Sequence, residues 1–370
     1  MKQSIAITGR GIVSAAGCTV EAAAERLRQG WIPQESRQFR VGGECYDVSP
    51  YYPILDGPAV GPKGLRTSDP FTINSAAAVA QALQEARIED MSDVGLVFNT
   101  VVGPVEAGQG FFERVLLRGP VGLSPSLFLD SLINMPAAHL SMLFGLHGSM
   151  SVLSGTHPLE IARHWVRCAR ERTIVLGATE QFSPLAIDAS EAYQVETPGG
   201  EVWPKLGQGS GAMVVETMSR AAERGLVPMT TVEAVASEAM GAEEPTRWVL
   251  QADVAERAIR RALKQASAST EEVALVCSCA NGVPTLDEPE AEAIWRVLSE
   301  RVPIVYPKRT FGETVGASGI VGVLSATLAL ANWEAPSSKG LGEPPLALVN
   351  DFDVGGQFWC VAIRAGERTK

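Results

Sequence analysis

Short apolar runs, each bounded by Gly, Asn or charge, alternate along this chain with longer amphipathic stretches. Residues 4–8, 94–99, 173–176, 212–216, 273–277 and 346–349 read as buried strands. The stretches 20–29, 72–86, 158–172 and 252–267 carry apolar residues at helical spacing and read as helices with one face on a core. Alternation of this kind predicts an α/β layered fold. The strand-rich stretches divide into two halves that meet between Glu216 and Pro228. Residues 336–345, rich in Pro, Gly and Ser, read as an exposed loop before a last hairpin.

Composition narrows the function. A chain of 370 residues with 46% hydrophobic content can bury a large core, and few aromatics among many Gly and Ala suit helices packed closely on a sheet. A net charge of -11 argues against nucleic acid, which needs basic patches. The six cysteines (Cys18, Cys45, Cys168, Cys277, Cys279 and Cys360) have no framework or metal-site spacing. They read as reduced thiols. No apolar run reaches membrane-span length and no signal peptide is apparent, so the expectation is a cytoplasmic protein with no metal and no membrane association.

Several motifs say more than periodicity does. Ile7-Thr8-Gly9-Arg10-Gly11-Ile12-Val13-Ser14, then Gly17-Cys18-Thr19-Val20, reads as strand, turn and helix. Ser149-Met150-Ser151-Val152-Leu153-Ser154-Gly155-Thr156 runs as a strand toward Pro158, a good first-turn residue. Downstream come Gly177-Ala178-Thr179-Glu180, Leu206-Gly207-Gln208-Gly209-Ser210-Gly211-Ala212, Ala280-Asn281-Gly282-Val283, Lys308-Arg309-Thr310-Phe311-Gly312-Glu313, Gly316-Ala317-Ser318-Gly319 and Asn350-Asp351-Phe352-Asp353-Val354-Gly355-Gly356. In this order, over nearly the whole chain, these motifs resemble the β-ketoacyl synthases, condensing enzymes of the thiolase superfamily. The resemblance implies a thiolase-like α/β fold: duplicated βαβαβαββ halves, residues 1–220 and 221–370, in a five-layer α-β-α-β-α arrangement.

It also implies a missing chemistry. A decarboxylating Claisen condensation uses a thiolate and two imidazoles. Here the nucleophile position falls on Ser154, Gly155 or Thr156, Asn281 stands at the first histidine and Glu313 at the second. The chain is therefore not expected to condense alone. A hydroxyl can serve as nucleophile if a base activates it, and His157 is adjacent; yet neighbouring side chains rarely converge. Ser154 and Thr156 read more simply as turn and N-cap residues, and His157, His139, His147 and His164 as structural. Asn281 could donate to a thioester carbonyl. Glu313, an anion that would repel an enolate, is better suited to pair with Lys308, which matches a family lysine, or to contact a partner chain. Cys277 and Cys279, two apart on a strand, are expected to share one buried face.

Asn281-Gly282-Val283-Pro284-Thr285-Leu286-Asp287, with Glu290-Ala291-Glu292-Ala293-Ile294, is similar to the chain length factor, or ketosynthase β subunit, of type II polyketide synthases. Many of those carry Gln at the nucleophile position and this chain does not, a departure that bears on any decarboxylating role. The resemblance implies a non-catalytic subunit without cofactor. Its partners would be a catalytic ketosynthase α subunit in a heterodimer, an acyl carrier protein, and a growing polyketide or polyene chain in a tunnel between subunits. Phe111, Phe112, Val115 and Leu116 on a helix over 104–118, with Asn134 and Met135, are the expected tunnel and interface residues. Val354 replaces an aromatic gate. Two alternatives stay open: a stand-alone acyltransferase or thioesterase using Ser154 or Thr156, and a purely stabilising partner.

Overall fold

The computed structural model describes residues 4–366 apart from 42–43, 56, 59–62, 64, 66–68, 120–122, 192–194, 198–199, 203, 241–247, 300–301 and 332–343. The loop expected over 336–345 lies, up to residue 343, outside the described residues. Ten strands make the main sheet: β1 (Ile5–Ser14), β2 (Val94–Asn99), β3 (Met150–Leu153), β4 (Thr173–Glu180), β5 (Gly209–Thr217), β6 (Thr230–Ala239), β7 (Val273–Cys277), β8 (Ile304–Val305), β9 (Leu346–Phe352) and β10 (Gln357–Ala365). Each expected strand is among them. Hydrogen bonding runs β3-β2-β4-β5-β1 through the first five and β8-β7-β9-β10-β6 through the last five. The second order repeats the first, five numbers on. In each set two strand pairings are parallel and two antiparallel, so that only β5 in the first set and β10 in the second run against the other four. The sets join where Ile5, Ala6 and Ile7 of β1 oppose Val232, Thr231 and Thr230 of β6.

The helices that matter here are α1 (Val20–Gln29), α2 (Pro70–Ala86), α3 (Val105–Arg118), α4 (Pro125–Asp130), α5 (Met135–Phe144), α6 (Pro158–Arg167), α7 (Ala252–Ala266), α8 (Pro284–Leu298), α9 (Pro307–Phe311) and α10 (Ser318–Ala331). Strand alternation sorts the core between them. On β2, Leu96 and Phe98 pack outward with α2 and α5, while Val97 turns inward. On β9, Leu346 and Leu348 pack outward with α7 and α8, while Ala347 and Val349 turn inward. The two inward faces enclose α6 and α10. The layers are therefore α2/α5, sheet, α6/α10, sheet and α7/α8: the thiolase-like five-layer arrangement. Buried on almost every side, α10 has no polar stripe to betray it. That is why the amphipathic pattern did not predict it.

Three local details differ from expectation or explain it. First, α6 ends at Arg167 rather than near 172, because Ala169 takes a left-handed φ of 51° and the N–H groups of Ala169 and Arg170 turn back onto the carbonyls of Val166 and Trp165. Second, Cys277 and Cys279 do not share a face. The strand ends at Cys277, which packs in the middle layer, while Cys279, beyond it, packs against α7 and α8. Third, Pro289 sits inside α8 and offers no N–H to the Thr285 carbonyl. That oxygen accepts from Leu250 N–H at 3.0 Å instead, so the proline leaves no buried acceptor unpaired. No helix among the described residues is long and apolar enough to cross a membrane.

Candidate functional site

Five segments converge at one end of the strands. They are the end of β2 and the residues after it (Asn99, Val101), the turn after β3 (Gly155 to Pro158), the turn after β7 (Asn281), the 307–319 segment, and the end of β9 with the turn that follows (Asp351, Asp353). The backbone crossing that fixes the 307–319 segment depends on glycine. Gly312 has φ 79° and ψ 179°, a conformation essentially reserved for glycine. A side chain there would begin 2.6 Å from the Gly207 Cα. Across this contact Gly207 N–H donates to the Glu313 carbonyl at 2.9 Å and Glu313 N–H donates to the Lys205 carbonyl at 2.8 Å.

Glu313 is the hub of the site and is 1% exposed. Its Oε2 accepts from Asn281 Nδ2 at 3.0 Å and from Lys308 Nζ at 2.6 Å, and its Oε1 from Val315 N–H at 2.9 Å and Ser318 Oγ at 2.7 Å. Burial alone would disfavour the Lys308 charge, but the Glu313 and Asp351 carboxylates outweigh it and hold the ammonium above its ordinary range. The expected Lys308–Glu313 pair is thus present, and Asn281 is drawn into it. Asn281 Oδ1 accepts from Val283 N–H at 3.2 Å, so both ends of its amide are engaged. The N–H groups of Asn281 and Gly282 donate to the Asp287 carboxylate at 2.9 and 3.0 Å. Buried Glu290 accepts from Ser278 Oγ, Cys279 N–H and Asn350 Nδ2, and ties this turn to β9.

The nucleophile turn is not poised for attack. Ser154 is exposed and Thr156 half-buried. Thr156 lines a cavity of about 10 Å³ together with Gly155, His157, Asp351 and Asp353. That is room for about one water and none for an acyl chain. The N-cap of α6 is His157 and not Thr156: its Nδ1 accepts from Leu159 N–H at 3.3 Å. Burial depresses the imidazole to about 4, against an opposite pull from the Gly319 backbone, so the one adjacent base is neutral and already engaged. His139 pairs with Asp130 at 3.1 Å, His164 lies 3.7 Å from Cys168, and His147 is exposed. None of these three reaches the turn.

Sequence reasoning gave no role to Asp351 and Asp353. Burial, reinforced by Glu313 and Asp353, raises Asp351 to about 7 despite Lys308; burial raises Asp353 to about 6. The signal was in view: the 350–356 loop carries two carboxylates two positions apart. On the far side of the Glu313 hub, a separate open pocket of about 330 Å³ is lined by Tyr52, Lys205, Asn281, Asp287, Lys308 and Arg309.

The expected tunnel and interface residues fall on a different face. α3 buries none of its residues. Phe112 is 65% exposed and Leu116 84%, while Phe111 and Val115 are half-buried and the Phe111 ring meets Phe128 at 5.5 Å. Asn134, exposed, precedes α5, and Met135, half-buried, opens it. Phe128, Leu129, Ile133, Met142 and Met150 are exposed as well, and the last begins β3, the edge strand of the sheet.

Comparison with known proteins gives a consistent picture. The family model for the β-ketoacyl synthase C-terminal domain matches residues 229–341. The 3-oxoacyl-(acyl-carrier-protein) synthase 2 of Vibrio cholerae is 24% identical over 388 residues, spanning 95% of this chain and 92% of that protein. The tetracenomycin polyketide synthase ketoacyl synthase beta subunit of Streptomyces glaucescens is 26% identical over 389 residues, spanning 94% and 90%. The solved ishigamide ketosynthase/chain length factor has the same fold, with a TM-score of 0.79 over 98% of this chain and 99% of that one at 20% identity.

Proposed function

We propose that this chain, which belongs to the β-ketoacyl synthase (thiolase) superfamily, is the non-catalytic, chain-length-determining subunit of a heterodimeric ketosynthase. The observation that carries this reading is a division of labour between two faces. The positions of the missing imidazoles, Asn281 and Glu313, are tied together with Lys308 and Ser318 in one hydrogen-bonded network, whereas α3, α4, α5 and the edge strand β3 leave large apolar side chains uncovered. Contiguous apolar exposure of this kind marks an interaction surface. In this reading a catalytic ketosynthase covers that face and holds the growing polyketide or polyene chain on its own thiolate. An acyl carrier protein supplies the extender units. Phe111, Phe112, Val115, Leu116, Asn134 and Met135 then line the shared tunnel and limit how far the chain extends.

The stand-alone alternative gains no support from the geometry. Ser154 has no base, Thr156 faces a space too small for a thioester, and the one adjacent imidazole is already accepting a hydrogen bond. The deciding experiment co-purifies this chain with a thiol-bearing synthase and its carrier protein, then runs malonyl extension with and without it. Extension that needs both chains and survives Ser154→Ala with Thr156→Ala supports the proposal. Thioester turnover by this chain alone, lost in that double variant, overturns it. Phe112→Ala should lengthen the product; unchanged length would leave a stabilising partner without a ruler.

A further inference from the structure

Two unpartnered polar atoms and a buried carboxyl group meet in the floor of this site. His157 Nδ1 accepts from Leu159 N–H, and a neutral imidazole that accepts at Nδ1 carries its proton on Nε2. Nε2 is buried and finds no partner in hydrogen-bond geometry among the described residues, the Gly319 backbone against the ring included. Asn99 gives Nδ2 to the Gly316 carbonyl at 2.7 Å, which leaves its Oδ1 buried and likewise unpartnered among the described residues. Asp351 brings its carboxylate to the same place: a Cβ built on Gly319 would lie 2.7 Å from His157 Nε2 and 2.8 Å from Asp351 Oδ2. All three side chains, with Thr156, line the single cavity of about 10 Å³.

We propose that this cavity is a binding site for one water molecule, which accepts from His157 Nε2–H and donates to Asn99 Oδ1 and the Asp351 carboxyl. Its chemistry selects the occupant. A metal ion or ammonium group would face the Nε2–H head-on, and neither can accept from it. An anion would be repelled by Asp351 and Asp353 and would leave Asn99 Oδ1 unserved. A space near the size of one water excludes anything with several non-hydrogen atoms. Water alone both donates and accepts, so it also serves Asp351 whether that carboxyl is ionised or protonated. Three partners match the usual number for a buried water. The bridge ties the end of β2, the start of α6 and the β9–β10 turn together beneath the first turn of α10. An inert ligand thus closes the space beside the turn that bears the reactive sulphur in active relatives.

The test uses the unaltered full chain, so the folding of a variant is not at issue. A crystal structure at a resolution that orders internal waters is paired with long-range ¹H–¹⁵N spectra of histidine-labelled protein at neutral pH. The expected result is one isolated peak at hydrogen-bond distance from His157 Nε2, Asn99 Oδ1 and Asp351, with His157 neutral and protonated on Nε2. A cavity without density, a peak at metal-ligand distances, or His157 protonated on Nδ1 would each overturn the assignment.

Discussion

Removing the Glu313 carboxylate is the sharpest perturbation of this site. Glu313→Ala deletes the acceptor for four donors and leaves Lys308, whose side chain is 8% exposed, without its closest counter-ion. At 2.6 Å and an effective dielectric of about 20, the direct attraction is roughly 6 kcal/mol before desolvation is counted. Desolvation cancels much of that for the intact pair, but stranding one buried charge typically costs about 3–5 kcal/mol. Asp351 faces the same ammonium and is the reserve anion. It should ionise more readily in the variant and hold the loss near the low end of that range. Glu313→Ala combined with Asp351→Asn removes the reserve and should cost clearly more than the sum of the single changes. Lys308→Met with Glu313→Leu removes both charges and should be far milder than Glu313→Ala alone. Urea unfolding followed by circular dichroism gives the free energies. If Glu313→Ala costs less than about 1 kcal/mol, and Asp351→Asn adds nothing to it, the hub is not what holds this end of the molecule together.

Three further outcomes are expected. The Asp351 carboxyl has a folded pKa of about 7, raised from an unfolded value of 3.8. The proton is therefore held more tightly in the fold, and the contribution of this group to stability is lost as pH rises from about 4 to about 7; unfolding Asp351→Asn beside the native chain should lack that loss, and parallel curves would contradict the assignment. Taking the difference isolates Asp351 from His157, whose depressed value adds stability as pH rises between about 4 and 6.5. Gly312→Ala forces a Cβ to 2.6 Å from the Gly207 Cα at a glycine-only conformation; it should cost about 3 kcal/mol or more or abolish soluble expression, and a native melting temperature would refute the crossing. Leu116→Glu changes a side chain that is 84% exposed; the isolated chain should unfold within about 0.5 kcal/mol of native while co-purification with the synthase is lost, and retained co-purification would move the interface elsewhere.

The legible parts of the sequence were those where one residue answers to a local rule. Buried strands such as Val94–Asn99 and Val273–Cys277 and the amphipathic Val20–Gln29 were recoverable with their boundaries, because their patterns depend on one neighbour layer at a time. The uniformly apolar α10 was not, since a helix buried between two sheets has no polar face to set a period. Cys277 and Cys279 misled because alternation holds only while the strand lasts.

In the site, the identities of Ser154, Thr156, Asn281 and Glu313 could be read directly, since residue identity at a motif needs no coordinates. So could the Lys308–Glu313 pair, two opposite charges five residues apart. What the sequence could not determine was convergence. Asn99, His157, Asp351 and Gly319 are far apart in the chain and meet only because two five-stranded sets stack α6 and α10 between them. Whether the face of α3 would be buried or uncovered was likewise decided by the fold, because an apolar stripe has the same spacing whether its cover is this chain or another. Residue chemistry is local and survives in the sequence; burial, and with it the protonation of Asp351 and His157, belongs to the tertiary structure because it depends on everything that packs around them.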